Sequence, residues 1–153
     1  MLLRRSFLVA SIAWAAAIPL AAFAATRAGG SSAAYAFALG VYAVGHIVCH
    51  QLPARSFHLW TASLPVCARC TGIYLGAAIA AIVLSAMRGR RGEATMTGSG
   101  DVEPRYVLLA ALAPTAATLI FEWTTGVTPS HWIRALAGAP LGAAVAWAIG
   151  MIN

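Results

Sequence analysis

Cys49, Cys67 and Cys70 are the three thiols of a 153-residue chain, and two histidines, His46 and His50, bracket the first of them. A Cys-x-x-Cys such as Cys67–Cys70 can chelate one metal ion from a single turn, and a second ligand pair about 12–20 residues away completes a tetrahedral site. Cys49, His50, Cys67 and Cys70 form such a Cys3His set. His46, Cys49 and His50 fall at i, i+3 and i+4, one face of a helix, so His46 is an alternative to His50. Zinc suits cysteine and imidazole best, with iron second. A four-ligand shell is closed and structural; three protein ligands plus water make a catalytic one. The same thiols admit another chemistry. A Cys-x-x-Cys at a helix N-terminus feels the positive dipole end, which lowers the thiol pKa and favours thiol–disulfide exchange.

Charged groups come next. Glu122 is the one acidic residue within or beside an apolar segment. A carboxylate near membrane depth is expensive and is usually paired or functional. Its candidate partners are Arg55, Arg69 and Arg134. Pairing with Arg134 would lock the last two helices together; a proton acceptor or an extra metal ligand is the sharper expectation. Arg55 and Arg69 flank the thiols, where they could hold an anionic substrate or stabilise thiolates. Glu122, Arg55, Arg69 and Arg134 are therefore the catalytic candidates. His58, His131, Phe57 and Trp60 read as ordinary loop and interface residues.

What positions these groups is a membrane bundle. The chain is 61% hydrophobic and 9% charged, with mean hydropathy +0.80. A soluble domain of this length needs far more polar surface. The expected fold is all-α, a polytopic bundle of four to five transmembrane helices in a single domain. Apolar segments run about Phe7–Ala25, Ala33–Cys49, Cys70–Met87, Tyr106–Phe121 and Trp132–Ile152. Each must be helical, because backbone amides in lipid need partners within their own segment. The first also reads as a signal peptide, with Arg4-Arg5 before it and Ala22-Phe23-Ala24 as a cleavage site; its length favours an uncleaved helix. Residues 88–105 read as a polar linker without chemistry. Glycines four apart, Gly72/Gly76 and Gly138/Gly142, read as helix-packing positions.

The net charge of +6 comes from ten arginines and no lysine. They flank apolar segments and do not form a stripe with interleaved aromatics, which excludes nucleic acid and points to lipid headgroups. A homo-oligomer is compatible with the composition. The arginine count along the loops nearly balances between two orientations. It leans toward the linker inside and the cysteines outside a bacterial inner membrane. Parity holds in either case: the ends of helices two and four and the starts of three and five share one membrane face. All the unusual polar groups therefore gather there.

Over Cys49-His50-Gln51, Pro53, Arg55-Ser56-Phe57 and then Pro65-Val66-Cys67, Arg69-Cys70, Gly72, Tyr74 and Gly76, the chain resembles the membrane proteins grouped as domain of unknown function 2085. A second similar stretch is Glu122, Gly126, Ser130, Arg134, Gly138 and Gly142, with Glu122-Trp123 where that family often carries Asp-Gly. The resemblance implies a small multi-helix membrane protein and names no activity.

Three function classes follow. One is a membrane protein with a structural or sensory metal site, the reading preferred here. Another is a membrane enzyme, either a metal-dependent hydrolase or a thiol oxidoreductase linked to a quinone; the latter is similar to vitamin K epoxide reductases in bundle size and Cys-x-x-Cys placement. A transporter or channel subunit is disfavoured, because the polar groups cluster at one face and do not run through the bilayer. The residues identify no substrate.

Overall fold

The computed structural model describes residues 2–27, 31–91 and 103–151. Each long apolar run forms a helix: α1 Leu2–Thr26, α2 Ser32–Val48, α3 Ala68–Arg91, α4 Pro104–Thr125 and α5 His131–Met151. Local chemistry sets their ends. Ser31 caps α2, its side chain accepting from the Ala34 N–H at 3.3 Å. Pro104 opens α4, where a missing N–H costs nothing. Gly126 closes α4 in the left-handed region at φ 68°, its N–H bonded to the Glu122 carbonyl, a conformation that suits glycine. Ser130 starts α5, its carbonyl accepting from the Arg134 N–H.

Four of these helices, α1, α3, α4 and α5, are long and apolar enough to cross a membrane, and α2 is a shorter apolar helix of 17 residues. The protein is a polytopic helical membrane protein. Its exposed side chains agree: Leu39, Ile47, Leu109, Ile120 and Leu136 point outward, as lipid-facing residues do.

Two sequence expectations change. The polar linker is shorter than 88–105, because α3 continues to Arg91 and α4 already begins at Pro104. Leaving the apolar run does not end a helix, since arginine is a good helix former. Residues 92–102 lie outside the described residues. The stretch between α2 and α3 is also no plain loop. It holds a 3-10 turn, Pro53–Arg55, and a small antiparallel hairpin of β1 His58–Leu59 and β2 Ala62–Ser63, with His58 opposite Ser63. Trp60 and Thr61 turn the hairpin, both at positive φ, the geometry of a tight two-residue turn.

Helices α3 and α5 run parallel and interlock through their glycines. A Cβ at Gly72 or Gly76 would strike the carbonyls of Ala135 or Ala139; one at Gly138 or Gly142 would strike those of Arg69 or Ile73. Both pairs of small residues are thus used, each letting the facing backbone approach. Helix α1 lies antiparallel to α3. Trp14 meets Tyr74 edge-on at 5.9 Å, and Ile18 and Ala22 pack against Leu64 and Val66 of the α2–α3 connection. That apolar cluster is the floor on which the thiols rest.

Candidate functional site

Cys49 reaches the site because α2 stops one residue early. Its N–H still bonds the Gly45 carbonyl at 2.9 Å, yet its backbone is extended, φ −153° and ψ 143°. Gln51 holds this exit. Its side-chain amide donates to the Tyr42 carbonyl on α2 and to the Pro65 carbonyl just before Cys67, each at 2.7 Å. Gly45 leaves the room: a Cβ there would meet the Pro65 carbonyl and the Gln51 amide. Tyr42 adds a hydroxyl bond to the Ser63 carbonyl. The Cys49 segment and the Pro65-Val66-Cys67 segment are thereby stapled together.

Cys67 directly precedes α3, and its carbonyl accepts from the Thr71 N–H at 2.9 Å and the Thr71 hydroxyl at 3.1 Å. Cys70 lies in the first turn. The sulfurs of Cys49, Cys67 and Cys70 all lie within 4.8 Å of one another, and all three residues are half-buried. The Cys67 N–H donates to the Cys49 Sγ at 3.3 Å. All three cysteines are free. A hydrogen bond from the Cys70 thiol pulls the Cys67 thiol down to about 5, with burial opposing; backbone N–H groups and Cys49 add to the lowering. A backbone and thiol environment that favours thiolate suits a metal ligand or a nucleophile.

The histidines do not join. Among the described residues, the metal-capable group is the three thiols, and neither His46 nor His50 lies within it. Two reasons are visible. The helical face assumed for His46, Cys49 and His50 ends at Val48, so the i, i+4 relation is lost at the extended Cys49. His46 is also exposed beside Gly45, since α2 buries Ala38, Val41 and Gly45 instead. His50 is exposed as well.

Glu122 is likewise absent from that group and is used elsewhere. Only 7% exposed near the end of α4, its carboxylate accepts from Arg69 Nη2 at 2.8 Å and from Arg134 Nη2 at 3.3 Å. Arg55 Nη1 stands 3.9 Å away. Arg134 Nε lies 3.0 Å from the carboxylate but out of line, and makes no hydrogen bond. Arg69 also donates to the Thr118 hydroxyl at 3.2 Å. Thr115 ties α4 to α5 by donating to the Ala137 carbonyl at 2.8 Å. The expected pairing of Glu122 with Arg134 is present, widened to Arg69 and Arg55. Arg69 sits between Cys67 and Cys70 in sequence, so the first turn of α3 and the residue before it carry both thiols and an arm of the ion cluster.

The loop aromatics pack within the protein. Trp60 lies edge-on to Phe23 of α1 at 5.2 Å, and Phe57 contacts His131 and Trp132 of α5. His131 Nε2 is 3.2 Å from the Ala54 carbonyl. Gln51, Gly45, Thr115 and Thr118 carry structural roles that residue chemistry alone did not single out. For Gln51 a signal existed in its place beside Cys49-His50.

Comparison with known proteins places the chain among membrane proteins. An uncharacterized protein of Methanocaldococcus jannaschii is 46% identical over 43 residues, 28% of this chain and 28% of the relative. One of Methanothermobacter thermautotrophicus is 57% identical over 30 residues, 20% of this chain and 27% of the relative. The matches thus span little more than a quarter of either relative's length. No solved structure matches. The family model described as "Predicted membrane protein (DUF2085)" matches residues 49–148, from the first thiol through most of α5, and the chain belongs to that family.

Proposed function

We propose that this protein binds a single metal ion, zinc in first place and iron in second, through Cys49, Cys67 and Cys70 at one face of the membrane. One observation carries the reading: three sulfurs from two separate chain segments lie within 4.8 Å of one another. Sulfurs around tetrahedral zinc stand roughly 3.8 Å apart, given a Zn–S bond of about 2.3 Å. A contraction of about 1 Å or less therefore forms the site. The N–H donated to Cys49 Sγ and the depressed Cys67 thiol both favour the thiolate form that a metal requires. With three protein ligands the fourth position is open to water or an exogenous donor. That fits a sensory or exchangeable site, and it is the arrangement that a metal-assisted hydrolase requires. The cell membrane is the expected location, with the arginine-rich end of α3 inside and the thiols outside.

A second reading is favoured by the Cys67 environment. A thiolate beside two further thiols is the setting of a thiol oxidoreductase. The Cys67 thiolate and the Cys70 thiol would form a disulfide as two electrons pass to a quinone, with one proton from Cys70 and one from solvent giving the quinol.

Metal analysis by mass spectrometry on detergent-purified protein separates the two. The metal reading expects about one equivalent per chain, lost in Cys70→Ser, with thiols that react only after chelation. No bound metal, together with a reversible Cys67–Cys70 disulfide, overturns it in favour of redox chemistry.

A further inference from the structure

The ion cluster beside the thiols is out of charge balance. Three guanidiniums, of Arg55, Arg69 and Arg134, surround one carboxylate, that of Glu122. Two positive charges are left over. Among the described residues the other carboxylate is that of Glu103, which pairs with Arg105 at 2.8 Å at the start of α4, far from this end of the bundle.

The donors are out of balance too. The Arg134 side chain is 1% exposed and that of Arg69 is 12% exposed. Yet Arg134 Nη1, Arg134 Nε and Arg69 Nε are buried without a hydrogen-bond partner. Buried guanidinium donors are normally satisfied, and each one left without a partner is costly. Arg55 differs from the other two. Its side chain is 44% exposed, and its one ion-pair contact is the long one of 3.9 Å to Glu122. It stands at the mouth of the cluster, on a 3-10 turn at the membrane face, with a guanidinium fork still open to another acceptor.

We propose that Arg55, Arg69 and Arg134 form a binding site for an anion of the phosphate class, with Glu122 holding the guanidiniums in place. Phosphate brings up to two negative charges and several acceptor oxygens, matching the excess charge and the planar forks of arginine. The position suits two sources of that chemistry, a phospholipid headgroup or free phosphate, since basic pockets between membrane helices bind lipid headgroups. The site is independent of whether the thiols hold a metal.

The test uses the full chain in neutral detergent and in nanodiscs. Arg55→Gln is the diagnostic variant, because Arg55 is half-exposed and its removal spares the buried pairs. Inorganic phosphate should raise the melting temperature of the unaltered protein saturably, beyond chloride at equal ionic strength, with apparent Kd at least about tenfold weaker in Arg55→Gln; that outcome assigns free phosphate. The lipid arm compares nanodiscs of phosphatidylcholine with and without phosphatidylglycerol. Retention of phosphatidylglycerol by the unaltered protein in native mass spectrometry, lost in Arg55→Gln, assigns a headgroup. The proposal is overturned if neither probe is held, or if Arg55→Gln holds both as well as the unaltered protein.

Discussion

Arg134 Nη2 on α5 donates to the Glu122 carboxylate on α4 at 3.3 Å, joining residues that are 1% and 7% exposed. The pair spans the short connection that Gly126 begins and Ser130 ends. Arg69 of α3 completes it on the other side of the carboxylate, so one buried group draws three helices together at the face that carries the thiols.

Glu122→Gln keeps the size of the side chain and removes its charge. Arg69 and Arg134 then remain buried without a counter-ion. The expected loss of stability is about 3–5 kcal/mol, the cost of breaking a buried pair from one side. Thermal unfolding in detergent measures it. A loss below about 1 kcal/mol would show that the pair behaves as an exposed one.

The glycine interlock gives a contrast within one protein. Gly142→Ala drives a methyl group into the Ile73 carbonyl, whereas Gly40→Ala on α2 meets nothing within 4 Å. Gly142→Ala should cost at least about 1–3 kcal/mol through forced separation of α3 and α5. Gly40→Ala should change stability by no more than about 1 kcal/mol. Equal melting temperatures for the two variants would contradict the parallel α3–α5 contact.

Gln51→Ala removes both side-chain bonds by which Gln51 holds the Cys49 exit beside the Pro65–Cys67 segment. Each hydrogen bond is worth about 0.5–1.5 kcal/mol net. The larger effect falls on the thiol site, because groups that orient metal ligands commonly matter about 10–100-fold in affinity. Competition with a chromophoric chelator reads the change. Affinity unaltered in Gln51→Ala would mean that the thiols assemble without the staple.

The Cys67 thiol should show its depressed pKa once any metal is removed. A thiol acid with pKa about 5, lowered from 9.0, is thiolate from about pH 6 upward. Its alkylation rate should therefore be nearly flat between pH 6 and 9, where an ordinary thiol still accelerates with pH. Cys70→Ala removes the leading cause of the depression, so the rate profile should move toward higher pH. Peptide mapping after timed iodoacetamide labelling measures both, and a Cys67 profile that still rises tenfold per pH unit up to pH 8 would refute the depression.

Much of this molecule is determined locally and was readable from residues alone. Helices in lipid must satisfy their own amides, so the apolar runs dictated all five helices, and crossing parity dictated that the thiols, Glu122 and Arg55, Arg69 and Arg134 share one end. Glycine spacing pointed to the α3 and α5 contact faces, because small residues permit close backbones wherever they fall. What tertiary structure alone decided lies in the connection from Cys49 to Cys67. Ligand spacing offered His50, or His46 in its place, beside three thiols, and it carried no distances. The extended backbone at Cys49, held through Gln51 and the close approach of Pro65 to Gly45, ended α2 before His50, while His46 lies on the exposed face of α2. The threefold ring of arginines around Glu122 was likewise undecided by sequence, which offered three partners and no distances. Both outcomes depend on contacts between residues distant in the chain, whose geometry is set by packing and not by local periodicity.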